Sequence, residues 1–127
     1  MIFAKLILAV LGLTITLSTG AVALANEVKV EGAEAIRGSD GRYRFSVTLR
    51  HADNGWDHYA DRWQVLSPNG DILATRVLLH PHETEQPFTR GMSGVAIPDG
   101  ISWVQIRAHD KVHGDGPGLL KVTLPGR

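Results

Sequence analysis

The sequence predicts an all-β fold: a single antiparallel β-sandwich of about seven strands in residues 26–127, behind a cleaved leader. Three observations predict it. Apolar and polar residues alternate through most of the chain, as on pleated strands with one buried face. Turn sequences such as Asn69-Gly70 and Asp99-Gly100 recur between these runs. No stretch keeps apolar residues at a sustained helical period.

The leader is read first. Lys5 gives a basic start, residues 6–17 are almost wholly apolar, and Ala23-Leu24-Ala25 supplies small residues for a signal peptidase. This order predicts a secretory signal peptide over residues 1–25, cut after Ala25. A membrane anchor is the competing reading. The apolar run is short for spanning a bilayer, and the small-residue exit fits cleavage better.

Seven runs follow. Residues 27–36 place Val28 and Val30 on one face. Residues 43–50 alternate strictly, with Tyr43, Phe45, Val47 and Leu49 on the core side. Residues 62–66 turn Trp63 and Val65 inward, which puts His58, Ala60, Arg62 and Gln64 outward. Residues 72–79 have Leu73, Val77 and Leu79 on one side. Residues 88–97 form a weaker run, broken by Gly91 and Gly94. Residues 101–108 alternate through Val104, Ile106 and Ala108, and residues 119–124 through Leu120, Val122 and Leu124. Ser67-Pro68-Asn69-Gly70-Asp71 suits a tight hairpin between the third and fourth runs.

Short strands at this spacing, with Trp63 on the third, resemble the immunoglobulin and fibronectin type III architecture. The resemblance spans residues 27–124 and implies a fold only. The paired cysteines of immunoglobulin domains are missing, since the chain has no cysteine. The same lack excludes thiol chemistry, iron–sulfur clusters and cysteine zinc sites. Removing Lys5 from the 13 basic residues leaves 12 against 13 acids, a net charge of −1 for the mature part. So balanced a chain carries no electrostatic footprint for nucleic acid. It is expected to be exported, periplasmic or secreted, and free of the membrane once cleaved.

The functional signal is the six histidines. Strand alternation sends His51, His58, His80, His82, His109 and His113 to one end of the sandwich, with Asp53, Asp57, Asp61, Glu83, Glu85, Asp110 and Asp115. An eight-residue strand is roughly 26 Å long, so the two ends cannot share a site. Imidazole with carboxylate suits a divalent ion such as Cu(II) or Zn(II), and no organic cofactor is predicted. All six histidines are candidate ligands. Outward parity places His58, His80, His82 and His109 on one sheet face. His51 has core parity, and His113 lies in a loop. Trp56, Asp57, Tyr59, Asp61 and Asp110 are candidate ligand-binding neighbours; Trp56 and Tyr59 serve equally as packing for the loop.

Three function classes follow. The first is an exported carrier or delivery protein for a metal ion. The second is an interaction module whose polar loops meet an exported partner protein or small ligand, and the third is a redox or hydrolytic metalloenzyme. An unliganded network of loop hydrogen bonds explains the same residues. Gly114-Asp115-Gly116-Pro117-Gly118 lies between strands and lacks the following helix of a phosphate cradle. Ser67 and Ser102 fall at the opposite end from the histidines, so no nucleophilic triad is predicted.

Overall fold

The computed structural model describes Gly12 and residues 26–127. The predicted leader lies outside the described residues, apart from Gly12. Eight strands run through the rest: β1 Lys29–Arg37, β2 Tyr43–Arg50, β3 Ala60–Leu66, β4 Ile72–Val77, β5 Phe88–Val95, β6 Trp103–Asp110, β7 Gly114–Asp115 and β8 Leu120–Thr123. They form two antiparallel sheets, and no helix occurs among the described residues.

One sheet has the order β1-β2-β5. In the other, β3 lies between β4 and β6, and both β7 and β8 pair with β6. β7 meets the end of β6 at His109 and Asp110, while β8 meets its start from Trp103 to Ile106. Together they act as one interrupted edge strand. The pair β7 was not expected, because Gly114-Asp115 reads as loop.

Alternation builds the core. Tyr43, Phe45, Val47 and Leu49 from β2 meet Trp63 and Val65 from β3 and Val104, Ile106 and Ala108 from β6, all buried. Each large apolar side chain removed from water stabilises the fold by roughly 1.5–3 kcal/mol. Gln64 and Arg107 lie on the outer face of this sheet, where Arg107 Nη2 donates to Gln64 Oε1 at 2.7 Å.

Two bulges correct the expected faces. The β3–β4 register shifts between Val65 and Leu66. This places Ala74 opposite Val65 and Arg76 opposite Trp63, on the core side. Leu78 is therefore buried, while Val77 and Leu79 are 55% and 75% exposed, the reverse of their predicted parity. Arg76 spans the gap between the sheets, and its Nε donates to the Gly91 carbonyl of β5 at 3.0 Å. A second shift separates Ala60 from Arg62 against β6. Ala60, expected to face outward, is fully buried.

Candidate metal centre

The ends of β2 and β6 and the start of β3 meet at one pole, and the cluster is built there. His51 directly follows β2 and continues its inward parity, which makes it 2% exposed. Asp110 ends β6 on the same inward parity as Ile106 and Ala108, and is fully buried. His58 closes a tight loop: Asn54 N–H donates to the His58 carbonyl at 2.7 Å, with Gly55 at φ +69 between them. That loop and the bulge at Asp61 release His58 from the outward parity of β3 and bring it over the core end. His113 sits in the three-residue turn between β6 and β7, which Gly114 closes at φ +80, a conformation that favours glycine.

One ligand atom from each of His51, His58, Asp110 and His113 lies within 4.8 Å of the others. Individual separations are 3.4 Å for His58 Nε2 to Asp110 Oδ1, 3.1 Å for His113 Nδ1 to the same oxygen, and 4.0 Å for His51 Nε2 to Asp110 Oδ2. Atoms bound to one ion at roughly 2.0–2.2 Å stand about 2.8–3.6 Å apart at tetrahedral or right angles. The cluster is close to that spacing. His51 and Asp110 form its buried floor, and His113 its exposed side.

The surroundings orient the rings. Asp53 is buried and accepts three hydrogen bonds: from His51 Nδ1 at 2.6 Å, Ala60 N–H at 3.0 Å and His82 N–H at 2.7 Å. The proton of His51 is thereby fixed on Nδ1, and Nε2 faces the cluster. His51 Nε2 also faces the Asn26 carbonyl at 2.9 Å. Two lone pairs at that distance repel, unless Nε2 carries a proton or both atoms bind a cation. His58 Nδ1 lies 3.2 Å from the Asn26 side-chain amide, whose Oδ1 is buried without a partner. Turning the amide over gives Oδ1 the His58 Nδ1 proton and leaves a lone pair on Nε2.

Two more buried atoms without a hydrogen-bond partner lie in the cluster, His58 Nε2 and Asp110 Oδ2; Arg62 Nε, Trp63 Nε1 and both ring nitrogens of His82 also lack partners but lie outside it. Such atoms cost about 1–3 kcal/mol each when left unpaired. Asp110 Oδ1 is held by the backbone N–H groups of Val112 and His113 at 2.9 and 2.8 Å. Burial pushes the Asp110 carboxyl up, but these two N–H groups and the nearby His113 and His51 outweigh it. Its pKa lies below the ordinary value of 3.8, so it is ionised at neutral pH. The floor thus holds two buried carboxylates, Asp53 and Asp110, facing one imidazole.

The other predicted residues go elsewhere. His109 faces outward and pairs with Asp61 through Nδ1. His82 is buried and stacks on Phe88, with ring centroids 4.0 Å apart. Burial first, then the charges of Arg90 and His80, lower its pKa against the opposing pull of Asp53 and Glu85. His80 is exposed, 4.6 Å from the His82 ring. The expected convergence of His58, His80, His82 and His109 on one outer face is therefore corrected. The β4 bulge, in which Leu73 is the residue left between the Val65–Ala74 and Leu66–Ile72 pairs, and the 54–58 loop divide the four among different surroundings. Asp57 is exposed, and Trp56, 62% exposed, packs edge-on to the buried Tyr59. Asn26 and Asp53 were missed as orienting groups. The spacing His51-x-Asp53 was the available signal for the second.

The chain is similar to a protein of Halomicrobium mukohataei. That protein is described as "Putative lipoprotein", and the two are 49% identical over 78 residues. The match covers 61% of this chain and 38% of the relative, so the chain spans under two-fifths of that protein's length. No family model and no solved structure matches the chain.

Proposed function

We propose that this is an exported metal-binding protein, holding one divalent ion of the Cu(II) or Zn(II) class at His51, His58, Asp110 and His113 for carriage or delivery. The observation that carries the reading is the pair of buried, unpartnered atoms, His58 Nε2 and Asp110 Oδ2, inside a cluster at ligand spacing. The chemistry agrees. Imidazole nitrogens suit both ions, and the carboxylate adds charge. A divalent cation also balances the two buried carboxylates, which are costly in a dry interior. Export is supported by the leader pattern and by the description of the relative.

The fold belongs to this proposal too. Read as strands A, B and E against C′, C, F and G, the sheet order β1-β2-β5 against β4-β3-β6 with β7 and β8 supports a fibronectin type III-like sandwich.

The test is metal content after dialysis against Zn(II) or Cu(II). One ion per chain is expected, with His58→Ala and His113→Ala lowering affinity and His80→Ala and His109→Ala leaving it unchanged. A chain that retains no ion up to the millimolar range overturns the reading. The second reading, an interaction module, is favoured by exposed apolar groups near this pole, Trp56 and Leu79. It predicts that Trp56→Ala abolishes capture of an exported partner while no metal is retained.

A further inference from the structure

We propose that removal of the leader completes this metal site, because the new α-amino group of Asn26 joins its own carbonyl oxygen as a chelate for the ion. The inference rests on the metal reading above. It adds a ligand that exists only after processing, and it sets when the protein can be loaded.

Two independent observations meet at Asn26. In the sequence, it is the residue directly after Ala23-Leu24-Ala25, the small-residue exit of the leader. In the fold, it lies against two of the cluster histidines. Its carbonyl oxygen is 2.9 Å from His51 Nε2, and its side-chain amide is 3.2 Å from His58 Nδ1. The next core residue holds it there. Val28 is buried, and its carbonyl lies so close to Gly116 that a Cβ at that glycine would approach it to 2.7 Å.

The geometry suits a chelate. The nitrogen and carbonyl oxygen of one residue are separated by three bonds and stand about 2.7–3.6 Å apart. Together with an ion they close a five-membered ring. The 2.9 Å between His51 Nε2 and Asn26 O is the separation of two ligands at right angles on one ion. With the His51 proton on Nδ1 toward Asp53, an ion bound to both atoms removes the repulsion between the Nε2 and carbonyl lone pairs.

Processing changes the chemistry of the nitrogen. In the uncut chain it is an amide, whose lone pair is delocalised into the Ala25 carbonyl. Hydrolysis of the Ala25–Asn26 bond consumes one water and leaves a carboxylate on Ala25 and an ammonium on Asn26. The ammonium, with a pKa of about 7.7–8.0, releases its proton to solvent as the nitrogen binds the ion. The precursor therefore binds weakly, and the ion is taken up after export.

The experiment compares residues 26–127, which contain both sheets and the whole described core, with residues 22–127, which keep Val22-Ala23-Leu24-Ala25 ahead of Asn26. Both are titrated with Cu(II) alone against a competing chelator, and their electron paramagnetic resonance spectra are recorded. The expected result is at least about tenfold weaker binding in the longer chain, in the range seen for lost metal-site groups. One fewer nitrogen coupling and one fewer released proton should accompany it. Asn26→Ala in the shorter chain controls for folding and for the side chain, and should keep the amine coupling. Equal affinities and spectra in the two chains overturn the proposal and leave the metal reading standing. Failure of both folded chains to bind Cu(II) or Zn(II) overturns the metal reading, and this proposal with it.

Discussion

Asp53 is the residue on which the pole turns. It fixes the His51 ring, caps the Ala60 N–H at the start of β3, and takes the His82 N–H. Asp53→Ala leaves three buried donors without their acceptor and should lower stability by about 3 kcal/mol, read from denaturant midpoints. Asp53→Asn keeps the size but weakens the hold on His51, so Zn(II) affinity should fall roughly 10–100-fold. An effect on affinity no larger than that of His109→Ala would argue against an orienting role. His82 sets a pH dependence. Its folded pKa is lowered, so below about 6.5 the unfolded chain binds more protons than the folded one. The stability it contributes is fully present above pH 6.5 and is lost as pH falls toward the lowered folded value. Asp110 acts in the same direction lower down: its contribution is present above 3.8 and lost as pH falls through its depressed pKa. The melting temperature should therefore fall from pH 7 to 5, and the fall should be smaller in His82→Phe, which preserves the stacking on Phe88.

At the scale of elements, the turns and bulges decide what the histidines do. Gly114 adopts φ +80 at the end of the turn that carries His113. Gly114→Ala forces a left-handed conformation on a residue with a Cβ and should cost roughly 1–2 kcal/mol. Because the turn also sets the Asp110–His113 geometry, metal affinity should fall with it; unchanged affinity in a destabilised variant would separate the turn from the site. The same irregularities limit what was legible beforehand. Strict alternation in residues 43–50 and 103–108 placed Tyr43, Phe45, Val104 and Ile106 on the core side correctly, because period-2 patterning survives wherever the ladder is regular. A bulge leaves no such mark. One extra residue near Leu73 reversed Val77, Leu78 and Leu79, and another at Asp61 buried Ala60. Parity extrapolated through these points gave the wrong face to the residues beyond. The core parity of His51 was legible, but not that its Nε2 would face Asp110. That depends on the Asp53 bond, which fixes the ring rather than the strand.

At the scale of the whole molecule, alternation of strand direction gathers the histidines at the end where β2 and β6 finish and β3 and β5 begin. That much was legible, since it needs only the strand order. The pole then divides. His51, His58 and His113 meet Asp110, while His82 stacks on Phe88 with His80 beside it and His109 pairs with Asp61. An ion that binds only the folded state should raise stability by about 2.7 kcal/mol at a hundredfold excess over Kd. The most direct measurement is nuclear magnetic resonance of the ring nitrogens of residues 26–127 during a Zn(II) titration at pH 7.5. Ring signals of His51, His58 and His113 should shift together and saturate at one ion per chain, while those of His80, His82 and His109 stay in place. Saturating shifts confined to His80 and His109, or no shift at any ring up to millimolar Zn(II), would contradict the four-residue site.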